Sequence, residues 1–326
     1  MDILLMSDQD MQLISPDEMK DLPINDQNKD LSTKSLSVAD RMKKHEAIYD
    51  TCIPNDHYLC IRLDGHSFSK FTRNLQKPYD PNFSKAMVHA AYDALSEFNA
   101  KCAYTQSDEI TLIFDIPDLS KGQSYIYNGR IQKLSSLSAS FVSTRFNYYL
   151  KKFIADGKIT YTNETLTRIN NAFATFDARI LTFDKSSKNE ILNHIIWRSI
   201  KDCYRNAVQS YAYHHFGSKR INNLNGKQMI ELLEKEKEIK WATDVPLWQK
   251  YGIYIKKELV LITTENGSAH RARMVSVSFK PYFSQSIIDF FLDSYFDKDK
   301  LENTVSNPDQ FQMKMLDLSK FDLQDC

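Results

Sequence analysis

The chain has 326 residues, 42% hydrophobic and 26% charged, a composition ordinary for a globular protein of one large or two smaller domains. Its 42 Lys and Arg balance 42 Asp and Glu, so a polyanion would have to be met by local basic patches rather than by a global field. Five cysteines with no CxxC pair argue against a zinc module and a disulfide framework, and no apolar run approaches the roughly 20 residues of a membrane span.

Residues 1–40 read as a segment of their own, rich in Asp, Asn and Gln, with no arginine before Arg41. That is unlike an Arg-rich mitochondrial presequence, and the charged start and long apolar core of a secretory signal are missing. A mobile acidic tail and a cytoplasmic location are expected.

Residues 57–63 are strand-like, ending in Asp64-Gly65. A loop rich in hydroxyl and basic side chains follows to Asp80, a candidate helix N-cap with Pro81 at the first helical position. The stripe Phe83, Met87, Ala90, Ala91, Ala94, Leu95, Phe98 has helical spacing. Residues 102–105 and 109–115 read as a hairpin with Ser107-Asp108-Glu109 at its tip. A second helix is expected over 129–153, with Leu134, Leu137, Phe141 and Phe146 among its apolar positions, and a strand over 172–183. The order strand, helix, strand, strand, helix, strand predicts an α+β fold: a ferredoxin-like palm of polymerase and cyclase type. Residues 189–216 read as one long helix or a broken pair, and Met229, Ile230, Leu232 and Leu233 mark a shorter one. Two strands with a turn at 265–268 and a final helix with a polar tail complete the chain. The expected divisions are therefore 1–40 tail, 41–185 catalytic palm, 186–285 an appended helical and β-hairpin region for RNA binding and oligomerisation, and 286–326 helix and tail.

Asp64, Asp108 and Glu109 would meet on one edge of such a sheet. Carboxylates gathered from two strands repel each other and raise each other's pKa unless a cation lies between them. Hard oxygen ligands of this kind suit Mg²⁺ with substrate phosphates, and the pattern predicts two-metal phosphoryl chemistry. Gly65 lets backbone approach a ligand closely, and the loop through His66, Ser67, Phe68, Ser69 and Lys70 can present backbone N–H groups to a triphosphate. Lys77 reads as a phosphate contact or a solvated lysine. Arg130 and Lys133 share a helix face and could cluster with Arg62 and Arg179 as a phosphate pocket or as an ordinary charged face. Asp202, Arg205 and Asn206 lie a helical turn apart, positioned to order a polar core or to contact a nucleotide.

IRLDGHSFSKFT, the following KPYD, and YTQSDEITLIF resemble the tRNA-His guanylyltransferase superfamily, as do NGRIQKLSS, TFDARI, WRSIKDCYRN and YGIYIKK, over roughly residues 40–285. The family's enzymes add nucleotides in the 3′-to-5′ direction. The resemblance implies that Asp64, the Gly65 carbonyl and Asp108 bind two Mg²⁺, with Glu109 supporting. It implies that Lys77, Ser107 and the Gly65–Ser69 backbone hold the triphosphate of an activating ATP or GTP. Arg62, Arg130, Lys133 and Arg179 would hold phosphates of the incoming NTP or of the RNA 5′ end. One departure stands out: Asp202-Cys203 is followed by Tyr204-Arg205-Asn206 where the guanylyltransferases carry a His-Ile-Asn-Asn-Leu segment. This pattern is similar to the guanylyltransferase-like branch, which repairs 5′-truncated tRNA on a template. WRSIKD also has one more residue between Arg198 and Asp202 than the family pattern. The implied enzyme is a template-dependent 3′-to-5′ RNA polymerase acting on tRNA or other structured RNA, working as a homotetramer and without a membrane partner. A dedicated guanylyltransferase adding G at position −1, a non-catalytic RNA-binding palm and a nucleotidyl cyclase remain the alternatives.

Overall fold

The computed structural model describes residues 36–157, 159–171, 174–264, 267–303 and 311–316. The chain divides into two compact units, Met1–Tyr49 and Asp50–Cys326. The first contributes helix α1 (Val38–Ala47), capped by Ser37, whose hydroxyl accepts from the Asp40 amide. Most of the expected acidic tail, residues 1–35, lies outside the described residues.

The second unit is an α+β structure on an antiparallel sheet. In chain order its elements are β1 (His57–Gly65), α2 (Phe68–Phe71), α3 (Pro81–Glu97), β2 (Cys102–Gln106), β3 (Glu109–Phe114), α4 (Ile131–Asp156), α5 (Asn163–Asn171) and β4 (Phe176–Asp184). Then come α6 (Asn189–Ile196), a π-helical segment Trp197–Cys203, α7 (Tyr204–Ile221), α8 (Gly226–Lys237) and α9 (Leu247–Tyr251). Strands β5 (Ile253–Thr264) and β6 (Gly267–Phe279), helices α10 (Gln285–Leu292) and α11 (Lys298–Asn303), and strand β7 (Met313–Leu316) finish the described chain. The seven strands run in the order β4-β1-β3-β2-β5-β6-β7.

Alternation along β1 explains how the sheet is used. Leu59, Ile61 and Leu63 point to one face, where they pack with Met87, Ala90 and Ala94 of α3 and with Leu134, Val142 and Phe146 of α4. Tyr58 and Cys60 point to the other face, packed with Tyr104, Tyr254, Ile191 and Ile195 of α6, and Ile287 and Phe291 of α10. Two and four residues further on, that second face carries Arg62 and Asp64 instead. The sheet thus changes from apolar to charged toward the exit end of β1.

Helix α3 starts where the sequence predicts. The Asp80 carboxylate accepts from the Phe83 amide at 3.0 Å, with Pro81 in the first turn, and the whole predicted stripe is buried. Helix α4 departs from its predicted stripe: Leu134, Ser138, Val142, Phe146 and Leu150 are buried, and Leu137 faces solvent. Ser138 fits the core because its hydroxyl donates to the Leu134 carbonyl at 2.6 Å. The expected strand over 172–183 begins at Phe176; residues 172–173 lie outside the described residues. Helices α2 and α5 occupy stretches not read as helix, and β7 adds an edge strand to the predicted C-terminal tail.

On the second face Lys256 is fully buried. Its ammonium donates to the Phe290 carbonyl and, at 2.7 Å, to the Asp293 carbonyl, so it caps the C-terminal end of α10. Burial draws its pKa down to about 8. No helix among the described residues is long and apolar enough to cross a membrane.

Candidate functional site

The charged end of β1 meets the tip of the β2–β3 hairpin. Asp64 is the cross-strand partner of Glu109 on one side and of Asp177 on the other. The Gly65 amide donates to the Asp108 carbonyl at 3.0 Å, which stitches the strand end to the hairpin tip. Ser107 makes the tip turn with a left-handed backbone (φ 47°). Asp64 and Asp108 therefore stand side by side. Burial, joined by the charge of Asp64, holds the Asp108 carboxyl above its ordinary range. The Arg179 guanidinium lies 3.9 Å from Asp64 and 3.4 Å from Asp177.

Glu109 stands across the strands from Asp64 and feels its charge, but its carboxylate is committed to a buried ion pair. It is 1% exposed, and Arg198 holds both its oxygens, with Nε donating to Oε1 at 2.8 Å and Nη2 donating to Oε2. Arg198 also pairs with Asp202, whose other oxygen takes Arg205 at 2.9 Å. Burial works against both charges: it raises the Glu109 pKa against the lowering pull of Arg198, while the hydrogen bonds to Glu109 and the nearby carboxylates raise the Arg198 pKa. Arg198 is the residue of this network that sequence reasoning missed. Its signal was the extra residue in WRSIKD. That residue is absorbed by the π-helical segment, in which the Tyr204 amide reaches back to the Ser199 carbonyl. Such π-turns recur at functional sites because they re-aim side chains.

Of the four expected phosphate-binding cations, two are at the site. Arg179 is the cross-strand partner of Arg62. Arg62 is 9% exposed and lies over the Trp197 ring at 5.8 Å. Arg130 and Lys133 are elsewhere within the chain. Arg130 bridges to Cys52 ahead of β1 and pairs with Asp50 at 2.7 Å. The seven steps from His57 to Asp64 put ~23 Å of strand between that end and the carboxylates. The three-helix-residue grouping at 202–206 also separates: Asp202 and Arg205 serve the Arg198 network, and Asn206 lines a cavity.

That cavity, about 290 Å³, opens beside Asp108. Its walls include Ser69, Lys77, Ser84, Val88, Thr105, Ser107, Asn206 and Trp248. Lys77 is partly desolvated there, which lowers its pKa against the opposing pull of Asp80. Ser69, Lys77 and Ser107 therefore line the same cavity. Phe68 is 3% exposed and packs its ring against Phe71, Phe83, Phe146 and Phe176, so it anchors the loop from below. His66 and Ser67 are exposed on the far side of that loop.

Asp64, the Gly65 carbonyl and Asp108 supply only oxygen donors, and two adjacent carboxylates with one pKa raised fit a hard divalent cation such as Mg²⁺. A direct check follows. Asp108 is expected to titrate above the ordinary carboxylate range in metal-free protein. Added Mg²⁺, or Asp64→Asn, is expected to move that titration down, as read by carboxyl carbon NMR. The one group of three ligand-type side chains whose atoms converge within 4.8 Å among the described residues is elsewhere, at Asp56, His57 and Asp184. Asp184 is committed there, accepting from the Ser186 amide at 2.8 Å and hydroxyl at 2.6 Å.

His194 backs the site from α6 and is 5% exposed. Burial, then the charges of Arg62 and Arg198, push its pKa down to about 4, so it is neutral at pH 7. The unfolded chain, with an ordinary histidine, binds the proton first. This contribution to stability is complete above about pH 6.5 and is lost as pH falls toward 4, about 3 kcal/mol in all. His194→Gln is expected to remove that part of the pH slope in urea unfolding midpoints.

Residues 39–184 match the family described as tRNA(His) guanylyltransferase, Thg1. The chain is similar to a bacterial tRNA(His) guanylyltransferase (Thg1)-like protein solved in complex with ATP, at 30% identity and a TM-score of 0.59, over 72% of this chain and 92% of that one. It is 47% identical over 269 residues to an uncharacterized protein of Acanthamoeba polyphaga mimivirus, covering 81% of this chain and 92% of the relative. It is 26% identical over 215 residues to the tRNA(His) guanylyltransferase of Debaryomyces hansenii, covering 62% of this chain and 74% of that enzyme.

Proposed function

We propose a reaction from one premise: the chain belongs to the tRNA(His) guanylyltransferase (Thg1) superfamily and is a nucleotidyltransferase acting on RNA 5′ ends. In this reading it adds nucleotides 3′-to-5′ against a template, as in the repair of 5′-truncated tRNA. The observation that carries it is the adjacency of Asp64 and Asp108 at the mouth of a cavity edged by Lys77 and Ser107.

The cavity takes the activating ATP or GTP, with Lys77, Ser107 and the Ser69 end of the loop on its triphosphate. A 5′-phosphate oxygen of the RNA attacks the α-phosphorus of that nucleotide and pyrophosphate leaves. The 3′-hydroxyl of an incoming NTP then attacks the RNA 5′-phosphorus and the nucleoside monophosphate leaves. Asp64, the Gly65 carbonyl and Asp108 would hold two Mg²⁺, which supply activation of the attacking oxygen and charge neutralisation of the leaving group. Arg179, exposed beside Asp64, meets the phosphate charge that gathers there. Arg198 holds Glu109, and so holds the hairpin tip that presents Asp108. The four-stranded part with α3 and α4 serves as a polymerase-type palm. Leu259, Leu261 and Ile262, exposed on the outer part of the β5–β6 hairpin, support assembly into a homotetramer.

The Tyr204-Arg205-Asn206 segment supports the template-dependent branch over a dedicated guanylyltransferase. The test is a tRNA lacking its first nucleotide and carrying a 5′-monophosphate, supplied with ATP, Mg²⁺ and all four NTPs, with the opposing base varied through all four. Additions that follow the opposing base support the proposal. G added whatever base lies opposite overturns it in favour of the guanylyltransferase reaction.

A further inference from the structure

Beyond Asp64 the loop His66–Lys70 has two sides. One faces the nucleotide cavity. The other forms the wall of a separate open groove of about 460 Å³, lined by His66, Ser67, Lys70, Phe71, Arg73 and Arg168 over a floor at Thr175. Among the described residues no carboxylate lines it. We propose that this groove binds the sugar-phosphate backbone of the RNA duplex next to the reacting 5′ end, an inference that rests on the nucleotidyl-transfer reading of the adjoining site.

Three observations converge on it. The first is charge: in a chain of net charge zero, Lys70, Arg73 and Arg168 gather with His66 on one surface. Among the described residues no ion pair engages Lys70 or Arg73, and both are exposed. The second is rigidity. Arg168 donates to the Lys70 carbonyl at 3.3 Å, tying α5 to α2, and is steadied by Glu164 of its own helix at 2.9 Å. The His66 amide donates to the Thr175 carbonyl at 2.8 Å, tying the loop to the start of β4. The walls are therefore fixed relative to Asp64 and Gly65, the residues that immediately precede the loop. The third is what is missing for base recognition. Phe71, the one Phe, Tyr or Trp ring among the described lining residues, packs against Phe68 at 5.5 Å and Phe146 at 6.2 Å, so it is not free to stack on a base. Cations with no amide side chain and no free Phe, Tyr or Trp ring beside them contact phosphates and carry no sequence information. That is the chemistry needed by an enzyme whose choice of nucleotide is left to base pairing.

The test is RNA binding across a salt series, using a 5′-monophosphorylated RNA hairpin with one unpaired template nucleotide, for the wild type and Lys70→Gln/Arg73→Gln. Each phosphate contact contributes about 0.9 to the slope of log K against log salt on a duplex, so the double variant is expected to lose about two units of slope. Its affinity at low salt is expected to fall on the order of tenfold or more, with the ATP dissociation constant unchanged. An unchanged slope overturns the proposal, as does ATP binding that weakens in step with RNA, which would give the groove to the nucleotide. Because binding needs no turnover, wild type that binds the RNA but never extends it refutes the reaction and leaves the groove standing. Wild type that extends the RNA while the double variant keeps its slope refutes the groove alone, and wild type that binds no RNA refutes both.

Discussion

Arg198→Met is expected to destabilise the second unit by about 3–5 kcal/mol, the usual cost of breaking a buried ion pair from one side. Glu109 is 1% exposed and has both oxygens on Arg198, so removing the guanidinium strands a carboxylate in the sheet. Asp202 suffers less, because Arg205 still pairs with it at 2.9 Å from an exposed position. Activity is expected to fall further than stability, because Glu109 is the neighbour of Asp108 and anchors the hairpin tip. Arg198→Met combined with Glu109→Leu removes both charges and keeps the volume, and is expected to recover much of the lost stability. Urea midpoints for the two single variants and the double variant measure the coupling. If the single Arg198 variant unfolds with the wild type, the buried pair is not what holds the hairpin.

Gly65→Ala is expected to lower the rate of transfer on the order of 100-fold while costing only about 1–3 kcal/mol of stability. A Cβ at this position would lie 2.5 Å from Cδ2 of Phe68, closer than real Cβ contacts allow. The ring cannot simply swing aside, because Phe71, Phe83, Phe146 and Phe176 surround it. The strain must instead pass to the backbone at 64–68. That is the segment that places Asp64 against Asp108 and gives the loop its course past the nucleotide cavity. Single-turnover transfer rates and melting temperatures of the same samples separate the two effects. Loss of stability with a normal rate in the surviving folded fraction would contradict the argument.

The parts of the site legible in the sequence were the local ones. LDG and SDE announce strand end and hairpin tip by their own composition, and Asp80-Pro81 announces the start of α3. What sequence could not give was set by contacts distant in the chain. Glu109 and Arg198 are 89 residues apart, and nothing near Glu109 says that its carboxylate is taken. Arg130 precedes and Lys133 opens the same helix whose middle approaches the site, but α4 has 26 residues and so is about 39 Å long. Its middle, at Phe146, touches Phe68 below the active loop, while its first turn sits at the other end of the sheet. Periodicity assigns a face and does not assign an end. In the same way Leu137 and Ser138 look interchangeable with the roles reversed until the Ser138 hydroxyl is seen donating to the preceding turn.

The most direct test of the central claim is transfer of labelled nucleotide to a 5′-monophosphorylated, 5′-truncated tRNA by the wild type, Asp64→Ala and Asp108→Ala, with RNA binding measured on the same preparations. The account predicts Mg²⁺-dependent transfer by the wild type, a loss on the order of 1,000-fold or more in both variants, and RNA affinity largely retained. Full activity in either variant, or no transfer by a wild type that binds the RNA, would contradict it.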